Sequence, residues 1–231
     1  MNYQWTEKNI KQYREASVYT AFHEKLSALA EPWLDASWTL ADMGCGPGLL
    51  DFFLAPKVSK ITAIDSEEAA IESLRAETDA RGTTGRIDPV LRDFRDLDAG
   101  ERWDAVLLAF VGVDARLLDD LIGRAKKRAL LFVRPRPPIP DEPEILGAPE
   151  TERHLTEQGY SFGKIVTELE FGQPFRGAHD AEEYLAELAR QDEKKALEAR
   201  ERIVRAERPD YMYYLPKSVE VSFFPVTLES P

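Results

Sequence analysis

Apolar and polar residues alternate along most of this chain in blocks that predict helices and strands in turn. Between residues 8 and 34 the apolar positions recur at steps of three or four, which predicts one or two amphipathic helices ending near Pro32. From residue 38 onward, apolar blocks of strand length alternate with helical patterns. The predicted strands are 38–43, 60–64, 89–92, 105–110 and 129–133, and the predicted helices are 49–54, 67–81 and 117–125.

The block at 105–110 is apolar at every position, as in a strand that is covered on both faces. Strands that alternate with helices form parallel sheets with helices packed on both sides. We therefore predict an α/β fold with a mostly parallel sheet.

The pattern changes after Val133. Four prolines within residues 134–140 predict a rigid loop, and a helix is predicted at 149–158. Two long alternating blocks, 162–171 and 219–228, have no crossover helix pattern of the earlier kind and predict an antiparallel finish to the sheet.

A strongly charged segment, 181–206, predicts one long helix or two shorter ones between those strands. It is interpreted either as a solvated surface helix or as a lid over a substrate pocket. The whole chain, 1–231, is predicted to be one domain. Its predicted parts are an N-terminal helical cap (1–35), a core (36–176 and 217–231) and a helical insertion (177–216).

Composition narrows the class of protein. With 30 basic and 42 acidic residues the net charge is −12, which disfavours a nucleic-acid partner, although residues 124–128 form a local basic run. One cysteine excludes an internal disulfide framework and a cysteine-cluster zinc site, and no metal is expected. The sequence shows neither a signal pattern nor an apolar run of about 18 residues, so we expect a soluble, cytoplasmic protein without a membrane partner. The oligomeric state stays open.

A glycine-rich turn follows the first predicted strand. Residues 40–50 read LADMGCGPGLL, so that Gly44, Gly46 and Gly48 alternate where the strand ends. Glycine tolerates positive φ and lets a ligand approach the main chain closely. A dinucleotide-binding fingerprint, G-x-G-x-x-G or A, would need a small residue at position 49, where this chain has Leu49.

The run D-x-G-x-G-x-G from Asp42 to Gly48 instead resembles motif I of the class I S-adenosylmethionine (SAM) dependent methyltransferases. The resemblance implies a seven-stranded Rossmann-like sheet with SAM at the carboxyl ends of its strands. Asp42 and loop carbonyls would take the amino group of SAM, and the helix after Gly48 would turn its positive end toward the pocket. Cys45 would be a small side chain under the cofactor rather than a nucleophile.

A second acid, Asp65, follows the second predicted strand, 17 positions after Gly48. A carboxylate can accept hydrogen bonds from both hydroxyls of a ribose, so Asp65 is interpreted as the ribose ligand, with Ser66 beside it in the donor site. The alternative is a helix N-cap, since Glu68 lies three residues on.

Two further positions carry the resemblance. Asp93, after the third strand, would accept a hydrogen bond from the adenine amino group, and the main chain of Phe94 would meet a ring nitrogen; the alternatives are a loop acid and a core aromatic. Phe110, at the tip of the fourth strand, is a candidate pocket wall or a core side chain.

Methyl transfer needs positioning, a dry site and sometimes a base, so a catalytic residue need not exist. His23 is the weak candidate for a base, against a structural role. The chain has no asparagine after Asn9, which excludes the N-P-P-Y motif of amino-methylating nucleic-acid enzymes. We expect a SAM-dependent methyltransferase that acts on a small molecule by direct in-line displacement. The alternatives are a non-catalytic protein that binds SAM or S-adenosylhomocysteine (SAH), and a methyltransferase for protein or RNA.

Overall fold

A computed structural model describes residues 4–136 and 145–228. In these residues the chain forms eight α-helices and eleven strands. The helices are α1 (Glu7–Thr20), α2 (Phe22–Ala30), α3 (Asp51–Leu54), α4 (Glu68–Arg81), α5 (Ala115–Ile122), α6 (Ala148–Glu157), α7 (Ala178–Gln191) and α8 (Glu193–Arg202). The strands are β1 (Thr39–Met43), β2 (Lys60–Asp65), β3 (Ile87–Leu91), β4 (Trp103–Ala109), β5 (Ala125–Val133), β6 (Ser161–Phe162), β7 (Ile165–Glu170), β8 (Gln173–Phe175), β9 (Val204–Arg205), β10 (Tyr213–Leu215) and β11 (Ser218–Thr227).

The chain divides into two compact units. In the described residues the first unit comprises 4–10, 23–136, 145–167 and 220–228, and the second comprises 11–22 and 168–219. The second unit therefore contains the predicted insertion at 177–216 together with most of α1.

The large sheet has the strand order β3-β2-β1-β4-β5-β11-β6, and β7 also pairs with β11. Strands β1 to β5 run parallel, whereas β11 runs antiparallel to β5 and to β6. Chain order reverses beside β1, because β2 and β4 lie on its two sides. In sheets of this kind the carboxyl ends of the strands at the reversal form the ligand crevice.

Burial follows the predicted apolar pattern. Residues 105–108 of β4 are buried, as expected for a strand covered on both faces. Helix α4 buries Ala70, Ile71 and Leu74, which stand at helical spacing. This helix ends at Gly82, whose φ of +65° gives the left-handed cap that glycine accepts without strain.

The second unit has a small core of its own. Strands β8, β10 and β9 form a three-stranded sheet in that order. Phe175, Leu185 and Leu215 are buried within its core, together with Ala181 and Ala199.

The structure confirms the mostly parallel α/β sheet with an antiparallel end, and it corrects several boundaries. The large sheet has eight strands rather than seven, because the predicted strand 162–171 is divided into β6 and β7. The charged segment forms two helices, since Asp192 leaves helical geometry with φ −158° and caps α8 through Lys195 N–H. Helices α1 and α2 are likewise separate, with Ala21 at φ +54° between them.

The helix after the glycine turn is the largest correction. The sequence predicts a helix over 49–54 with its positive end toward the donor, whereas α3 begins two residues later, at Asp51, and is followed by a 3-10 turn at Ala55–Lys57. Pro56 in that turn lacks the amide that a longer helix would need. A dipole from one turn is small, and the role of this helix end toward the donor stays a prediction. Residues 137–140 of the predicted proline loop lie outside the described residues.

The antiparallel end of the sheet depends on a buried aromatic pair. Phe223 of β11 lies opposite Phe132 of β5, and their rings stack with centroids 4.5 Å apart. We expect Phe223→Ala to lower the free energy of unfolding by about 3–5 kcal/mol, because it leaves a cavity in a fully buried site. Urea unfolding measures the change. Glu220→Ala, on an exposed position of the same strand, is the matched control and should change stability by less than about 0.5 kcal/mol; equal losses for the two variants would contradict the prediction.

Candidate active site

The glycine turn after β1 is hydrogen-bonded to the end of β2. The amides of Gly44 and Cys45 both donate to the carbonyl oxygen of Ile64, at 2.8 and 3.0 Å. The amide of Gly46 donates to Oδ2 of Asp65 at 2.7 Å. Main chain and acid are therefore held together at the carboxyl edge of the sheet, where the chain order reverses.

Gly44 and Gly46 are required by their surroundings. Gly44 has φ +78°, and a Cβ there would lie 2.8 Å from Cγ2 of Val111. Gly46 has φ +54°, and a Cβ there would lie 2.8 Å from Cζ2 of Trp5. A side chain at either position would meet both an unfavourable backbone conformation and a close neighbour. The sequence pattern does not point to Val111 or Trp5, because neither is near the glycine turn along the chain.

Asp65 is almost fully buried and uses both carboxylate oxygens. Oδ2 accepts the Gly46 amide, and Oδ1 accepts the amide of Glu67 at 2.9 Å. Each oxygen has a second lone pair, so the carboxylate keeps acceptor capacity for a diol. The N-cap position of α4 is Glu67 rather than Asp65, which removes the helix-cap alternative in its simple form. Ser66, next to Asp65, is exposed.

Asp42 and Asp51 form a buried acid pair beneath the turn. Asp42 is 2% exposed and Asp51 is 0% exposed. Within the described residues, no N–H or O–H group donates to either oxygen of Asp51 or to Oδ1 of Asp42. A hydrogen bond between the two carboxyls then requires that one of them carry a proton.

Burial is the main cause of the shifted acidities in this pair. It raises the pKa of Asp42 to about 7; a hydrogen bond with Asp51 opposes the shift and the charge of Asp65 adds to it. Burial, and then the charge of Asp42, raise the pKa of Asp51 well above its usual range. The pair therefore shares a proton near neutral pH, with Asp51 as its holder. The sequence pattern does not point to Asp51, which follows the glycine turn without belonging to the motif.

Cys45 is a thiol rather than a thiolate. Its burial beside Asp51, Asp42 and Asp65 raises the pKa of the thiol well above its usual range. Since the thiolate is the nucleophilic form, this environment agrees with the predicted role of Cys45 as a small side chain in the turn.

Of the two positions after β3, the structure brings one to the glycine turn. Phe94 places Cε1 3.6 Å from where a Cβ on Gly44 would lie. The Asp93 carboxylate accepts the amide of Arg95 at 2.9 Å and pairs with its guanidinium, which lowers the pKa of Asp93. Asp93 thus also caps the 3-10 turn Phe94–Asp96, as the loop-acid alternative requires.

The tip of β4 carries a strained aromatic residue. Phe110 has φ +62°, a left-handed conformation that is uncommon for a bulky residue and is found most often at functional sites. The guanidinium of Arg134, just after β5, lies 4.4 Å from the centre of the Phe110 ring. A cationic and aromatic surface therefore stands beside the glycine turn at the same edge of the sheet.

His23 is buried and near the charge of Arg134. Burial, and then this charge, lower the pKa of His23 to about 3. The imidazole is neutral at pH 7 and has a low affinity for a proton, which makes it a weak general base.

Within the described residues, no three His, Cys, Asp or Glu side chains form a group that could hold a metal ion. None of the helices described is both long and apolar enough to cross a bilayer.

Comparison with known proteins identifies the domain that carries this site. The sequence model of a family described as "Methyltransferase domain" matches residues 40–129. Residues 40–129 are therefore similar to a methyltransferase domain. The matched segment contains the glycine turn, both members of the buried acid pair, Asp65, Asp93 and Phe110. No curated protein matches the chain.

Solved structures share the fold of the methyltransferase domain. A SAM-dependent methyltransferase from Thiobacillus denitrificans, solved with SAH, is 14% identical with a TM-score of 0.59, and the match covers 98% of this chain and 100% of that one. Magnesium protoporphyrin IX methyltransferase from Synechocystis PCC 6803, with bound SAM, is 14% identical with a TM-score of 0.55, and the match covers 97% of this chain and 86% of that one. A tRNA methyltransferase from M. jannaschii is 12% identical with a TM-score of 0.51, and the match covers 89% of this chain and 49% of that one. The resemblance to class I SAM-dependent methyltransferases is confirmed, with SAM as the methyl donor of this type of domain.

The buried acid pair makes stability depend on pH. The folded-state pKa values of Asp42 and Asp51 lie above the usual value near 3.9, so the folded protein keeps protons that the unfolded chain releases between about pH 4 and pH 7. The contribution of the pair to the free energy of unfolding therefore falls as pH rises through this range. We expect Asp51→Asn, which keeps a hydrogen-bond donor beside Asp42 at every pH, to gain about 1–3 kcal/mol relative to the unmutated protein between pH 5 and pH 8.

Urea unfolding of the unmutated protein and of Asp51→Asn, at pH 5 and at pH 8, measures how the difference in their free energies of unfolding changes with pH. Asp79→Asn removes an exposed acid from α4 and should leave the difference near zero. A pH-independent difference for Asp51→Asn would show that the pair does not share a proton.

Proposed function

We propose that this methyltransferase domain transfers a methyl group from SAM to a small-molecule acceptor at the carboxyl edge of β1, β2 and β4. The hydrogen bond from the Gly46 amide to Asp65 is the observation that carries the proposal. It joins the backbone turn suited to close ligand approach and the carboxylate suited to a ribose diol into one rigid site.

The donor would be held by residues from four strand ends. The diol of its ribose binds Asp65 near Ser66, and the turn Gly44, Cys45, Gly46 and Gly48 contacts it through the main chain. Phe94, which packs beside Gly44, and Asp93 are proposed to bind the adenine. Phe110 forms the wall toward the acceptor.

The buried acids support this assignment through their chemistry. Asp42 has an oxygen that no donor in the described residues satisfies, and Asp51 has two. An ammonium group supplies donors of the kind that such oxygens lack. We therefore assign the amino group of SAM to the loop carbonyls and Asp42, with Asp51 hydrogen-bonded to Asp42.

SAM supplies a methyl group that is already activated on a sulfonium. The protein then has to align the acceptor atom with this group and exclude water. His23 stays the candidate base, although its low pKa suits hydrogen bonding to an acceptor better than removal of a proton at neutral pH. The reaction in this proposal depends on alignment more than on general-base catalysis.

The proposed acceptor class rests on charge and composition. The fold serves a porphyrin methyltransferase and a tRNA methyltransferase alike, so it does not select an acceptor. A net charge of −12 disfavours the phosphate backbone of RNA, and the absence of asparagine after Asn9 excludes N-P-P-Y. A small molecule fits these properties better. A single cysteine also agrees with a cytoplasmic location.

Calorimetric titration with SAM and SAH tests the donor site. We expect the unmutated protein to bind both, and Asp65→Ala to weaken both by about 10- to 100-fold through the loss of charge-assisted hydrogen bonds to the ribose. Gly46→Val should abolish binding, because it adds a branched side chain at positive φ against Trp5. Asp88→Ala, on β3 and paired with Lys60, is the control and should bind normally.

Methyl transfer from labelled SAM to panels of small molecules, proteins and RNA tests the acceptor class. Turnover on a small molecule supports the proposal, whereas turnover confined to RNA or protein contradicts it. If the unmutated protein binds neither SAM nor SAH, the proposed donor site is wrong.

A further inference from the structure

Trp5 is held at a fixed place just before the first helix. The Thr6 amide donates to Oδ1 of Asn9 at 2.7 Å, and the Asn9 amide returns a bond to the Thr6 hydroxyl at 3.3 Å. The side-chain amide of Asn9 also donates to the carbonyl of Gln4 at 2.9 Å. This reciprocal arrangement is a form of the capping box, with Asn in place of Glu or Gln. It fixes the residues on both sides of Trp5.

The indole of Trp5 fills the space over the middle glycine of the turn. The point where a Cβ on Gly46 would lie is 2.8 Å from Cζ2, 3.2 Å from Cε2 and 3.4 Å from Nε1 of the indole. Gly46 is also the residue whose amide is bound by Asp65. The half-buried indole therefore stands at the part of the turn that offers its main chain for close approach.

The charges around the turn favour a cation at this place. Besides burial, the charges of neighbouring acids, Asp42 and Asp65 among them, raise the pKa of the Cys45 thiol. The face of an indole attracts organic cations more strongly than the rings of the other aromatic side chains. A turn that has acids and an indole as neighbours is suited to a ligand with a positively charged centre.

We infer that Trp5 is a donor-binding residue that recognises the sulfonium of SAM and so discriminates the charged methyl donor from the neutral thioether product. This inference rests on the proposed function. The covalent chemistry is unchanged: Trp5 contributes affinity for the cation, and this contribution is lost when the methyl group leaves and the sulfur becomes neutral.

Calorimetry on the whole protein with SAM and SAH as the two probes tests the inference. We expect Trp5→Ala to weaken SAM binding by about tenfold and SAH binding by about twofold or less, the range of a partly desolvated cation–π contact. Trp5→Phe should lie between Trp5→Ala and the unmutated protein. Trp38→Ala is the matched control. Trp38 precedes β1, at the opposite end of that strand from the turn, and its ring centroid lies 4.8 Å from Nζ of Lys127.

Asn9→Ala provides a test that leaves the indole intact. It releases the segment before α1, so we expect a smaller loss, about threefold, that is again larger for SAM than for SAH. Circular dichroism confirms that each variant is folded.

The outcomes distinguish the role of Trp5 from the proposed function. Equal loss for SAM and SAH, no loss, or tighter binding by Trp5→Ala would overturn the role of Trp5 while leaving the donor site standing. Failure of the unmutated protein to bind either nucleoside would overturn the proposed function itself.

Discussion

The site depends on the bond between the Gly46 amide and the Asp65 carboxylate. This bond is a charge-assisted contact in a buried place, so it is stronger than a neutral hydrogen bond. It connects two strand ends that lie 19 residues apart in the sequence. Because β1 and β2 are parallel and in register from Thr39 to Met43, the sheet brings these ends together, and the bond fixes the turn against them. The positions of Trp5 and Phe94 relative to the ligand crevice follow from the position of the turn.

The same edge of the sheet concentrates negative charge that is costly to bury. Three carboxyl groups lie near a turn of five residues, and in the described part of the chain no N–H or O–H group donates to either oxygen of Asp51 or to Oδ1 of Asp42. A buried acid without a donor lowers stability, and such groups occur most often where function requires them. The glycine turn is thus a place where the folded protein is less stable than it would be with neutral side chains.

The sequence predicted the sheet because its signal is local. Apolar blocks of strand length and the D-x-G-x-G-x-G run each occupy a few adjacent residues, and β1, β2 and β4 lie close to their predicted positions. Features that depend on distant residues could not be predicted in this way. Trp5 meets Gly46 across 41 positions, and the acidity of Asp51 depends on its burial beside Asp42. The helix after the turn was predicted two residues too long because Leu49 and Leu50 are apolar, whereas both still belong to the turn and α3 begins at Asp51.

At the tip of β4 the chain has a phenylalanine, Phe110, in a backbone conformation that suits glycine. Its left-handed backbone costs a non-glycine residue about 1–2 kcal/mol, and glycine would adopt the same φ of +62° freely. A glycine, however, would have no ring for the Arg134 guanidinium to rest on. Selection for heat resistance alone would therefore favour glycine at this position, at the expense of the contact between the ring and Arg134.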